Sequence, residues 1–157
     1  MAGNLDLETL HNLVLKGEID TVLVAFPDMQ GRLMGKRVTG HYFLDHVERD
    51  GIHACAYLLT VDVDMDPLPG FRLASWNTGY HDFRAVPDLS TLRRIPWLDK
   101  TAMVLCDLVS EVGEPIEESP RQILTRQVRR ARGMGVLPMV ASELEFYLFK
   151  ESFDSAR

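Results

Sequence analysis

Between Asp20 and Val38 the sequence permits few folds, because two extended apolar segments flank a four-residue turn. Asp20 to Phe26 is rich in β-branched and apolar residues and ends at Pro27-Asp28, which reads as a buried strand running into a turn. Asp28-Met29-Gln30-Gly31 supplies the turn, and Arg32 to Val38 resumes an extended pattern, so the two segments form a hairpin. Thr39 to Asp50 then carries Tyr42, Phe43 and Val47 ahead of Gly51, the pattern of a short amphipathic helix. Ala54 to Val61 is a further apolar strand. Strand, strand, helix, strand is the order of a β-grasp, a mixed sheet curled around one helix. Periodicity leaves it one of several α+β arrangements.

The flanking segments obey the same rules. Asp6 caps a helix to Lys16, with Leu7, Leu10, Leu13 and Val14 on one face and Gly17 as its stop. Asp62 to Tyr80 is a long aperiodic loop holding Asp62, Asp64, Asp66, Pro67, Pro69, Gly70 and Gly79, and loops of that length are often functional. Short strands are expected at Asp82 to Val86 and Ala102 to Leu108, with Pro87-Asp88-Leu89-Ser90 as a turn between them. Gly113 to Glu118 is an acidic connector. Ser119 caps a helix that Pro120 opens and that ends at Gly133 or Gly135. Val136 to Lys150 reads as a strand. The expected organisation is one domain over 18–113, preceded by the helix 6–16, and the beginning of a second over 114–157.

Bulk properties exclude several classes. With 46% hydrophobic and 25% charged residues among 157, the chain is suited to a packed core and not to disorder. Its apolar runs, such as Ala54 to Leu59, are much shorter than the ~20 residues of a membrane helix, so no membrane partner is expected. A net charge of −6 argues against nucleic acid. Cys55 and Cys106 lie in apolar segments without metal-clip neighbours, which points to buried free thiols and a cytoplasmic setting. The five histidines are scattered without a metal-binding spacing, Gly31 and Gly35 lack the context of a phosphate loop, and Trp97 reads as a core anchor. The arginines between 121 and 132 read as a solvated face or a subunit contact.

Chemistry concentrates in Ser142-Glu143-Leu144-Glu145-Phe146-Tyr147-Leu148-Phe149. On a strand, Glu143 and Glu145 share a face about 7 Å apart, while Leu144, Phe146 and Leu148 take the core face. Two carboxylates on one face suit hard, oxygen-seeking cations such as Mg2+ or Mn2+. A merely solvated face has the same spacing. Tyr147 and Phe149, which continue the acidic face, fit the wall of a cleft better than plain solvation.

The segment Pro138 to Phe149 resembles the start of the catalytic domain in the glutamine synthetase family. Three further stretches match the family in the same order: Asp28 to Arg37, Pro87 to Trp97, and Cys106-Asp107 through Pro120-Arg121. The resemblance implies a β-grasp N-terminal domain followed by the first helix and strand of the catalytic domain. Glu143 and Glu145 then become ligands of Mg2+ or Mn2+, with Glu143 a candidate nucleotide contact. It also implies that the loop Asp62 to Asp82 completes a neighbouring subunit's active site. Trp76 would be its tryptophan and Asp64 or Asp66 its catalytic aspartate. The bacterial Asp-Gly-Ser-Ser motif is absent, so the chain looks closer to the γ-glutamylpolyamine and γ-glutamylamide synthetases.

The implied reaction is an ATP-dependent ligation, part of nitrogen metabolism. It joins glutamate to ammonia or an amine through γ-glutamyl phosphate, in a homo-oligomer with active sites between subunits. Other ligands of the family lie beyond Arg157, so the 157-residue chain alone is expected to be inactive. The alternative is a non-catalytic β-grasp module that binds or regulates a partner.

Overall fold

In the computed structural model, residues 3–77 and 79–155 are described, and the chain divides into two compact units, Met1–Gln127 and Val128–Arg157. The first unit is built on helix α1 (Leu7–Leu15), strands β1 (Thr21–Pro27) and β2 (Leu33–Thr39), and a helical stretch over 40–50. That stretch consists of α2 (Gly40–Tyr42), a π-helical turn (Phe43–Val47) and α3 (Glu48–Asp50). Strand β3 (Ile52–Cys55), a 3-10 turn (Ala56–Leu59), β4 (Asp82–Arg94), β5 (Thr101–Val109) and α4 (Pro120–Gly133) come next.

The five strands form one mixed sheet in the order β2-β1-β5-β4-β3. β1 runs parallel to β5, and the other neighbours are antiparallel. The register places Val22 opposite Ala102 and Val24 opposite Val104, so alternate residues of both strands bury on one face. On that face Val22, Val24, Phe26, Phe83, Val104 and Leu108 join Leu10 of α1 and Phe43 and Val47 of the helical stretch in the core. Phe26 meets Phe83 edge to face at 5.2 Å. The architecture is α+β.

The local signals act where they were expected to act. The Asp6 carboxylate accepts the Thr9 N–H at 2.7 Å and caps α1, and Gly17 takes φ +69 just past its end. Gly51 ends α3 at φ +73, with the Ala85 carbonyl oxygen where a Cβ would stand, so only glycine fits there.

Five expectations need correction. The strand expected at Ala54 to Val61 is instead β3 over Ile52–Cys55 followed by the 3-10 turn, because a short apolar run does not distinguish a strand from a buried helical turn. Pro87-Asp88-Leu89-Ser90 is not a turn between strands. β4 continues through it to Arg94, with a register shift between Asp88 and Arg93. The Thr91 hydroxyl holds this bulge, donating to the Asp88 carbonyl at 2.7 Å and accepting the Leu105 N–H at 2.8 Å. β3 pairs only as far as Ala85, so Pro87 lies where β4 lacks that neighbour, a place that tolerates proline. Residues 3–5 line β4 farther along, with Gly3 N–H on the Ser90 carbonyl and Leu5 N–H on that of Leu92.

Trp97 lies in the true turn between β4 and β5 and is 75% exposed, not a core anchor, because a tight turn leaves its side chains outside the sheet's packed face. The Ser119 hydroxyl is buried and has no hydrogen-bond partner among the described residues, so α4 starts without the expected side-chain cap. In the second unit, Val136 to Lys150 is not a strand. It is irregular and exposed, including Leu144, Phe146 and Leu148, because no described segment offers it a ladder of hydrogen bonds.

Candidate functional site

The hairpin turn between β1 and β2 works as a clamp on the long loop. Asp28 is buried, and its carboxylate accepts the backbone N–H groups of Gln30 (2.9 Å) and Arg32 (2.8 Å) and the Arg32 Nε–H (2.7 Å). Burial alone would raise the Asp28 pKa, yet these hydrogen bonds and the guanidinium charge hold it below the ordinary carboxylate value. So oriented, Arg32 donates to the carbonyls of Val63 (2.7 Å) and Asp62 (2.9 Å), and Gln30 Nε2 donates to that of Val61 (3.0 Å). Three consecutive carbonyls of the loop's first turn are thereby fixed.

Asp62 organises the turn itself. Its carboxylate accepts the N–H groups of Asp64 (2.9 Å) and Asp66 (3.0 Å), and Val61 bridges to Pro67. This bracing leaves Asp64 and Asp66 exposed. Neither carboxylate has a hydrogen bond or ion pair among the described residues. Beyond Pro67 the loop closes on itself. Trp76 is 89% exposed and stands edge to face against Tyr80 at 5.4 Å, and Tyr80 stands in the same way against Tyr57 at 6.3 Å. A cleft of about 290 Å3 lies among Pro67, Pro69, Ser75, Trp76, Asn77 and Tyr80. The structure therefore gathers Trp76, Asp64 and Asp66 on one anchored loop.

Glu143 and Glu145 belong to the second unit and are exposed on the irregular segment. As carboxylates they fit the oxygen preference of Mg2+ or Mn2+, but two ligands fall short of the near-octahedral set that Mg2+ requires. Among the described residues no group of three or more His, Cys, Asp or Glu side chains could hold a metal ion. The donor type fits; the number does not.

Three features escaped the sequence. Tyr57 and Tyr80, of which Tyr80 meets the loop tryptophan, are far apart in the chain and come together through the pairing of β3 with β4. The Asp28–Arg32 clamp is visible in the sequence only as a turn. Arg121, one of an arginine row that reads as a solvated face or a subunit contact, is a bridge within the first unit: its Nε–H meets Asp107 on β5 at 2.7 Å, and its Nη2 meets Asp88 on β4. Beside it, burial first and the Asp107 carboxylate second push the Cys106 thiol up to about 12, so this cysteine is inert packing.

With this geometry in place, comparison with known proteins is specific. The glutamine synthetase catalytic domain matches residues 117–157. A γ-glutamylethanolamide synthetase of Streptomyces coelicolor is 49% identical over 152 residues, covering 97% of this chain and 33% of that protein. A glutamate–isopropylamine ligase of a Pseudomonas species is 37% identical over 146 residues, covering 93% of this chain and 32% of the relative. In fold, the chain is similar to glutamine synthetase-type structures. They include GmaS without ligand (TM-score 0.61, 23% identical, covering 82% of this chain and 26% of that one). A glutamine synthase homologue is also similar (TM-score 0.63, 18% identical, covering 74% and 27%). The chain belongs to the glutamine synthetase family. It spans about a third of the length of the curated relatives it matches.

Proposed function

We propose that this chain is the N-terminal portion of an ATP-dependent carboxylate–amine ligase that joins the γ-carboxyl group of glutamate to ammonia or a small amine. The observation that carries the reading is the similarity along 97% of the chain to a γ-glutamylethanolamide synthetase, at 49% identity. In the proposed reaction a γ-carboxylate oxygen attacks the γ-phosphorus of ATP and ADP leaves. The amine nitrogen then attacks the acyl phosphate carbon, releases inorganic phosphate and gives up a proton. Mg2+ or Mn2+ would neutralise phosphate charge when bound, and Glu143 and Glu145 are the residues of this chain that would hold it, with Glu143 also beside the nucleotide.

In this reading the sheet and helices of residues 18–113 form a β-grasp domain. The strand order, with β1 parallel to β5 and a helical stretch over the sheet, supports that description. Residues 114–157 open the catalytic domain, supported by a family match that begins at residue 117. Asp28, Gln30 and Arg32 hold the loop in shape. Trp76, with Asp64 or Asp66, is the part of it that would reach an active site shared between subunits of a homo-oligomer. An exposed aspartate there would take the proton from an incoming ammonium group. The 157-residue chain by itself, with two carboxylates on an irregular segment, is proposed to be inactive.

The test is ADP release by the full-length protein with ATP, glutamate, Mg2+ and either ammonia, ethanolamine or isopropylamine. Amine-dependent turnover is expected, falling at least about a hundredfold in Glu143→Gln and Glu145→Gln, as when a group that stabilises transition-state charge is removed. Absence of turnover with every amine would reject the ligase reading. Turnover untouched by both substitutions would reject the assignment of the two glutamates.

A further inference from the structure

Beside Trp76 of the proposed active-site loop lie Tyr57, Pro67 and Tyr80, to which the proposed ligation gives no role, and the four line one pocket. It is an open depression of about 190 Å3, and the wall it offers is entirely apolar. That is below the roughly 300–1,000 Å3 of pockets for drug-sized ligands, so a nucleotide is too large for it and a ligand of a few heavy atoms is the right size. Three of its four walls are aromatic, and the rings stand edge to face. The faces of aromatic rings attract cations.

The charge around the pocket agrees. Pro67 comes directly after the Asp62–Asp66 turn, where the Asp64 and Asp66 carboxylates are exposed and have no cationic partner among the described residues. Between Val61 and Gly70 the sequence has three aspartates and no lysine or arginine. An apolar, aromatic depression whose Pro67 directly follows an acidic turn suits an ion that is greasy at one end and positive at the other. The start of the loop and two of the rings are held in place. The clamp of Asp28, Gln30 and Arg32 fixes carbonyls 61–63, and Tyr57 and Tyr80 lie half-buried where the chain enters and leaves the loop.

We propose that Tyr57, Pro67, Trp76 and Tyr80 form a selectivity pocket for a small primary alkylammonium substrate, holding its alkyl group against the rings while the acidic turn attracts its charge. This rests on the ligase reading and deepens it: Tyr57 and Tyr80 become specificity residues that favour an alkylamine over ammonia. Ammonium gains the charge attraction but fills none of the apolar wall. A neutral alcohol of the same shape fills the wall but gains no attraction from ring faces or carboxylates.

The experiment tracks the Trp76 indole N–H resonance of the 157-residue chain during titration with isopropylammonium, isopropanol and ammonium. Trp97, exposed and outside the pocket, serves as the internal control. Isopropylammonium is expected to shift the Trp76 signal saturably in the millimolar range and leave Trp97 unmoved. Isopropanol and ammonium should bind at least about threefold more weakly, as should isopropylammonium to Tyr57→Leu and Tyr80→Leu. No saturable shift at Trp76, or equal binding of isopropanol, overturns the proposal. In the full-length protein both substitutions should lower the ratio of kcat/KM for isopropylamine to that for ammonia at least about threefold. An unchanged ratio in an active ligase overturns the selectivity role and leaves the ligase reading standing. Failure of that reading shows separately, as absence of ADP release with any amine.

Discussion

Replacing Asp28 with asparagine is the sharpest test of how the loop is positioned. The native carboxylate is buried and accepts two backbone N–H groups and one guanidinium N–H, and the Arg32 side chain it orients is 34% exposed. Asparagine keeps one oxygen but turns an NH2 toward donors, so at least one buried donor loses its acceptor. Breaking a fully buried pair costs about 3–5 kcal/mol, and the partial exposure of Arg32 brings the expectation to about 2–3 kcal/mol at neutral pH. For a unit of this size that is a fall in Tm of roughly 6–12 °C, read by circular dichroism.

The pH dependence supplies a second reading. The folded-state pKa of Asp28 lies below the ordinary value of 3.8, so its contribution is complete above that value and disappears as pH falls through the lower folded-state value. The difference between wild type and Asp28→Asn should therefore be full at neutral pH and shrink in acid below about 4. A difference under about 0.5 kcal/mol at neutral pH, the range of an ordinary surface substitution, would refute the clamp. So would a difference that stays constant into acid.

Other consequences are simpler. Arg121→Ala should cost about 1–2 kcal/mol, since Asp88, Asp107 and Arg121 are all partly exposed, and should speed amide exchange in the first turn of α4. The Cys106 thiol, raised to about 12, should resist alkylation at mildly alkaline pH in the folded protein and react on unfolding, which peptide mass spectrometry resolves. Gly51→Ala places a Cβ against the Ala85 carbonyl at positive φ and should destabilise by about 1–3 kcal/mol, measured by urea unfolding.

The sequence is legible where local chemistry decides. Asp6 with the apolar spacing of Leu7, Leu10 and Val14 specifies α1, and the turn Asp28 to Gly31 between two β-rich runs specifies the first hairpin. Where long-range contacts decide, the reading fails. Pro87-Asp88 carries turn chemistry, but Thr91 reaches the backbone of Leu105 on the next strand and keeps β4 continuous. The segment Val136 to Lys150 has a strand's alternation, and alternation without a ladder partner leaves it irregular and exposed. The site divides in the same way. The loop tryptophan and the glutamate pair stand out by composition and resemblance, whereas Tyr57 and Tyr80 meet through the pairing of β3 with β4.

The central claim is tested most directly by tracing the γ-carboxylate oxygens of glutamate through one turnover of the full-length protein. Glutamate labelled with heavy oxygen in that carboxylate is incubated with ATP, Mg2+ and ethanolamine, and the inorganic phosphate is examined by mass spectrometry. Ligation through γ-glutamyl phosphate transfers one labelled oxygen to each phosphate released. Amide formed while the phosphate stays unlabelled, or no amide at all, would contradict the account.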